Sequence, residues 1–186
     1  MYLNETLKTI AERYSCRDFK NEPVSDEMLQ AIADAAIQAP SGMNRQAWHF
    51  SVVSNKTLLG ELESEGMSQI FALEDKTVYD RIMERGGKLF YDAPAAVYIG
   101  MKSGSGQMDC GIACQNIALA ASSLGLGNVI CVLAGFSFAV PEKAKAFADK
   151  LGFPEGYEFG IAVLIGHAKK TVEAHKPNSE KVTFVK

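Results

Sequence analysis

Apolar positions recur at helical spacing near the N-terminus, where Leu7, Ile10, Ala11 and Tyr14 share one face behind Asn4, a residue suited to capping. This predicts a helix over residues 4–13. A second helix is predicted after Ser25, with Met28, Leu29, Ile32, Ala33, Ala36 and Ile37 as its apolar stripe and Asp26 and Glu27 in its first turn. Pro40 ends it, because proline disfavours helical backbone in the preceding residue. At Trp48 the period changes: Trp48, Phe50, Val52 and Val53 predict a strand.

Residues 56–66 read as a short polar helix. The periodicity of 67–76 is mixed, and this stretch is expected to form a mobile, lid-like segment. A helix over about 77–90 is expected to break near Gly86-Gly87. Ala95-Ala96-Val97-Tyr98-Ile99 predicts a buried strand, and Ser103-Gly104-Ser105-Gly106 a flexible loop. The longest element is predicted from Asp109 to Leu124, small and apolar nearly all round and closed by Gly125. A strand from Asn128 to Leu133, a loop at Ala134-Gly135-Phe136 and a helix opened by Pro141 follow. The last strand is predicted over Phe159 to Ile165. The remaining tail is polar, apart from Val182-Thr183-Phe184-Val185. Separated strands with intervening helices imply a layered sheet, and no repeat or composition break divides residues 1–186, so one domain is expected.

Composition changes this picture little. Apolar residues at 47% and charged residues at 22% describe an ordinary globular chain with a core. A net charge of −3 argues against a nucleic-acid partner, which selects basic proteins. No apolar window reaches membrane-span length and the N-terminus lacks a signal-peptide pattern, so a cytoplasmic protein is expected. The four cysteines form no CxxC pair. Cys110 and Cys114 would share a helix face, yet no second ligand pair accompanies them, so no metal is expected and buried reduced thiols are.

Two stretches carry candidate chemistry. In Arg13-Tyr14-Ser15-Cys16-Arg17-Asp18-Phe19, two arginines four apart flank a hydroxyl, a compact arrangement for a phosphate. A solvated arginine pair with Asp18 as partner fits the same residues. The second stretch is Ala39-Pro40-Ser41-Gly42-Met43-Asn44-Arg45-Gln46-Ala47-Trp48, where Gly42 is expected to supply a left-handed turn residue beside the donors of Asn44, Arg45 and Gln46. An ordinary polar turn is the alternative there.

With the Asp109–Leu126 helix and Gly166 followed by a basic tail, these stretches resemble the nitroreductase family, in the same order over about residues 4–185. The resemblance implies an α+β fold with a central mixed sheet flanked by helices. It implies a domain-exchanged homodimer built on the long central helix, FMN as cofactor, NADH or NADPH as donor and a small-molecule electron acceptor. It places Arg13, Tyr14, Ser15 and Arg17 on the first FMN segment, and Pro40, Ser41, Gly42, Asn44 and Gln46 on a second one from the opposite subunit. Leu133, Ala134 and Gly135 would form the loop whose amide faces flavin N5, Lys88 would approach the O2 edge, and His175 and Lys176 would reach the phosphate. Arg17 would favour the anionic reduced flavin. The run 182–185 would add a strand to the partner's sheet. Departures from the family pattern are Ala47 where proline is frequent, Ala134 where glutamate is, and His175-Lys176 in place of an arginine-containing pair. The implied reaction is ping-pong reduction of an acceptor such as a nitroaromatic or quinone. A flavoenzyme of this fold with other chemistry (dehydrogenation, dehalogenation, flavin breakdown) and a non-catalytic flavin-binding module are the alternatives.

Overall fold

The computed structural model describes residues 4–104 and 106–186. Residues 1–3, in the stretch read as lacking a signal peptide, and Ser105, in the expected loop, lie outside the described residues. The helices are α1 (Glu5–Glu12), α2 (Asp26–Ile37), α3 (Lys56–Ala72), α4 (Thr77–Glu84), α5 (Gln107–Ser123) and α6 (Pro141–Lys150). The strands are β1 (Trp48–Val53), β2 (Ala95–Lys102), β3 (Gly127–Cys131) and β4 (Tyr157–Gly166), in the sheet order β1-β2-β4-β3.

The α+β expectation holds, but the strands pair antiparallel rather than in mixed directions. Among the described residues the one parallel contact is an isolated bridge of Ser15 to Asn128, at the β3 edge. Residues 182–185 form no strand within their own chain. The central strands alternate with period two between two helical layers. Ala95, Val97 and Ile99 of β2, with Val163 and Ile165 of β4, pack in the cluster containing Leu29, Ile32, Cys110, Ala113 and Ile117 of α2 and α5. Ala96 and Tyr98, with Ala162 and Leu164, face the cluster built on Leu59, Leu62 and Ile70 of α3 and Phe147 of α6. With both faces covered, these strands read as continuous apolar runs.

Capping residues act where expected: the side chains of Asn4 and Ser25 accept N–H groups in the first turns of α1 and α2, and Pro141 opens α6. Gly125 closes α5 at φ +75°, its N–H donating to Ser122 O while Leu126 N–H reaches back to Ala121 O.

The largest departure is at α3. The expected lid of 67–76 is mostly the second half of one helix that runs from Lys56 to Ala72. Leu59, Leu62, Gly66 and Ile70 are buried at spacings of three and four, so one apolar face runs unbroken through the stretch. Gly66 permits this packing, because a Cβ there would lie 2.8 Å from Leu89 Cδ2 and 2.9 Å from Ser137 Oγ. Ser137 Oγ in turn donates to Leu62 O at 2.7 Å. The helix expected to about residue 90 stops at Glu84, where Gly86 and Gly87 turn left-handed. β3 ends at Cys131 rather than Leu133, and the expected 134–136 loop is part of a 3-10 helix, Val132–Phe138.

Tyr98 is fully buried, and its hydroxyl has no partner among the described residues. Burial, first, and the neighbouring Cys131 and Glu63 push its phenol well above the ordinary range. Deleting that unsatisfied hydroxyl is expected to stabilise the fold by about 1 kcal/mol. In thermal melts Tyr98→Phe should therefore raise Tm by about 2–4 °C; a lowered Tm would show that the hydroxyl is satisfied.

Candidate functional site

The first chemistry-bearing segment is fixed to the sheet edge. α1 ends at Glu12, and Arg13 takes an extended ψ of 130° as its N–H closes onto Thr9 O. Cys16 N–H donates to Asn128 O at 2.8 Å, and Phe19 bridges antiparallel to Ala168. Cys16 and Phe19 point into the core while Arg17 stays exposed. Arg17 lines a cleft of about 470 Å³ together with Tyr14, Ser15, Arg85, Lys170 and Val172. Asp18 also lines it but pairs with Lys169 at 2.8 Å, whereas Arg17, Arg85 and Lys170 enter no ion pair among the described residues. The cleft therefore presents excess positive charge and suits an anion.

Arg13 opens this segment but does not line the cleft. Its Nη1 is buried and has no hydrogen-bond partner among the described residues. The guanidinium is close enough to Cys114 of α5 to favour that thiolate, although burial dominates and drives the thiol up to about 12. A buried cationic donor left without a partner is costly, and a phosphate oxygen would satisfy it. Arg17 is similarly felt at Cys131. Burial pushes that thiol up to about 11, against the opposing amides of Ala134 and Leu133 and the Arg17 charge. The Arg17 segment is thus adjacent to the start of the 132–138 helix.

The second segment is a strained turn. Three non-glycine residues in residues 42–46 are left-handed: Met43 at φ 53°, Asn44 at φ 53° and Gln46 at φ 50°. Gly42, expected to hold that conformation, does not adopt it and opens the 3-10 turn Gly42–Asn44 instead. Left-handed backbone costs non-glycine residues on the order of 1 kcal/mol each, less for asparagine. Offsetting bonds hold the turn: Ser41 Oγ accepts Gln46 N–H at 2.9 Å, and Gln46 Nε2 donates to Asn44 Oδ1 at 2.9 Å. Neither Pro40 nor Ser41, Gly42, Asn44 and Gln46 lines the Arg17 cleft of the same chain.

The other expected residues fall in different places. Ala134 is fully buried, its amide turned toward the Cys131 thiol. Gly135 opens onto a separate cleft of about 770 Å³ bounded by Phe138 and Phe159, which stack at 4.5 Å. Lys88 is not brought to the Arg17 cleft. It pairs with Asp92 and lines a third cleft with Lys56 and Lys169. His175 and Lys176 are exposed on a stretch without regular structure and line none of these clefts. Sequence reasoning missed Arg85 and Lys170. The Gly86-Gly87 reversal explains the exchange, since residues before and after it face different clefts.

The sequence profile of the Nitroreductase family matches residues 10–167, which hold both segments and all four strands. The chain belongs to this family. Relatives within it include a candidate NADH dehydrogenase/NAD(P)H nitroreductase of Archaeoglobus fulgidus, 30% identical over 90% of this chain and 87% of that one. A nitroreductase of Desulfitobacterium hafniense, solved with bound FMN, is 56% identical over the full length of both chains with a TM-score of 0.97. Another FMN-bound nitroreductase, from Bacteroides fragilis, is 29% identical over 98% of this chain and all of that one, at a TM-score of 0.88.

Proposed function

We propose that residues 1–186 form one FMN-binding domain of a cytoplasmic, homodimeric oxidoreductase that oxidises NADH or NADPH and reduces a small organic acceptor such as a nitroaromatic or quinone. The observation that carries this reading is the cleft at Tyr14–Arg17 with three cations in no ion pair among the described residues, in the segment opened by Arg13, whose buried Nη1 has no partner among them either. That donor set fits a mononucleotide: Arg13 and Ser15 for the phosphate, Arg17 and Arg85 for the electron-rich edge of the ring. The FMN-bound relatives and the NAD(P)H named for the archaeal one support the same assignment. When bound, FMN supplies the hydride chemistry, so no side-chain acid or nucleophile is required. The chain's contribution is to anchor the phosphate, hold positive charge near the ring and shape the approach of donor and acceptor in turn.

A homodimer is supported by apolar surface that the single chain leaves uncovered. No residue of α1 is buried, although Leu7 and Ile10 form its apolar face. Met108 on α5 is 80% exposed, and Val182, Phe184 and Val185 of the tail stand in solvent. In the dimer, the Pro40–Gln46 turn serves the partner's cofactor and the tail joins the partner's sheet. Four buried cysteines without a disulfide suit a reducing compartment.

The test is the visible absorption of the protein with FMN, followed without oxygen. Bleaching on addition of NADH or NADPH, with recovery on addition of a nitroaromatic or quinone, is the expected result. Colour that persists with both donors would favour another flavin chemistry or a non-catalytic flavin-binding module. A protein that takes up no FMN overturns the proposal.

A further inference from the structure

We infer that Asp109 is a positioning residue that suspends the strained 41–46 turn from the central helix, and so sets the geometry of the second cofactor segment. Asp109 occupies the first turn of α5, where an acidic side chain ordinarily serves its own helix end. Here its carboxylate faces outward in sequence by 67 residues: Gly42 N–H donates to Oδ1 at 3.2 Å and to Oδ2 at 3.3 Å. It enters no ion pair among the described residues. The start of α5 is left to Gly106, whose φ of 98° provides no side-chain cap.

The geometry gives this bond a specific task. The turn holds three left-handed non-glycine residues, and its internal bonds (Ser41 to Gln46, Gln46 to Asn44) fix its shape but not its location. Lys102 N–H locates the far end of the turn by donating to Ala47 O at 3.1 Å, and the near end requires an anchor of its own. The next one back along the chain is Asn116 Nδ2, two turns further along α5, which donates to Ala35 O of α2 at 3.0 Å. Asn116 ties α2 to α5, and Asp109 extends that attachment past the end of α2 to the turn. α5 is a rigid support, with Cys110, Ala113, Cys114 and Ile117 buried. The carboxylate's charge favours the bond although its N–H is shared between two oxygens, and the donor is the first residue of the 3-10 turn.

The inference rests on the reading of Pro40–Gln46 as a cofactor segment, and the test separates the two. Arg45 is exposed in the turn, so limited trypsin cleavage after Arg45, mapped by mass spectrometry, reports the turn without any cofactor. Asp109→Ala is expected to accelerate that cleavage, and to raise the FMN Kd from fluorescence titration, by about tenfold or more. Asp109→Asn retains an acceptor oxygen and should stay within about threefold of the wild type in both. Gly42→Pro removes the donor at a position with nothing within 4 Å of its Cβ direction, and should match Asp109→Ala. The double variant should be no more labile than either single one, as a shared bond requires.

Wild-type cleavage in Asp109→Ala, or additive losses in the double variant, would overturn the tether. So would an Asn variant as labile as the Ala variant. If Asp109→Ala does not fold, Gly42→Pro against Asp109→Asn decides in the same terms. If the wild type binds no FMN, the cofactor reading fails, while the cleavage rates still decide the role of Asp109.

Discussion

Arg13→Met should weaken FMN binding by about tenfold to a hundredfold while raising the melting temperature of the FMN-free protein. Both effects follow from one atom. Nη1 of Arg13 is buried without a partner among the described residues, so in the cofactor-free chain it carries a desolvation cost. Methionine fills similar volume with no donor, and removing the unsatisfied group is worth on the order of 1–2 kcal/mol to the FMN-free fold. With phosphate present the sign reverses, because charge-assisted bonds to a buried guanidinium contribute about 1.5–3 kcal/mol. Fluorescence titration against FMN and riboflavin checks the assignment. Loss confined to FMN identifies the phosphate as the partner. An equal loss with riboflavin, or a lower melting temperature, would make Arg13 a structural residue.

Gly166→Ala should cost about 3 kcal/mol, lowering Tm by about 6–12 °C. A Cβ there would lie 2.5 Å from Pro94 Cδ and 2.9 Å from Phe19 Cδ1. Pro94 is a rigid buried ring and Phe19 is fully buried, so neither can swing aside. Phe19 ends the segment that begins at Arg13, so relief of the clash displaces the Arg17 cleft, the proposed cofactor site, as well. Chemical denaturation measures the first effect, and FMN affinity of the folded variant the second. A melting temperature within 2 °C of the wild type, by the same scaling, would mean that β4 can shift away from Pro94.

Elements marked by local chemistry were legible in the sequence. Asn4, Ser25, Pro141 and Gly125 each act at a helix end through neighbours close in the chain, which is information that a sequence displays. The sequence reading ends helix α3 at Gly66 because the periodicity of 67–76 is mixed, whereas the close packing that carries the helix through Gly66 is made with Leu89 and Ser137, distant in sequence. The turn at 42–46 was recognised, but its left-handed positions were assigned to glycine, the residue that adopts them at least cost. The turn's own side-chain bonds hold them instead at Met43, Asn44 and Gln46. The site divides the same way. Ser15 and Arg17 stand out in the sequence because they share one extended segment, and both line the cleft; Arg85 does not stand out, because it reaches that cleft from another element.

The two outer strands are unlike each other. β3 has its free side occupied at Asn128 by the Ser15 segment, while among the described residues β1 pairs with β2 alone and keeps an open row of backbone groups. An added strand therefore has its open template at β1, where the outer row of N–H and C=O groups is free to pair. In the proposed dimer, that edge is where the partner's 182–185 run would join the sheet.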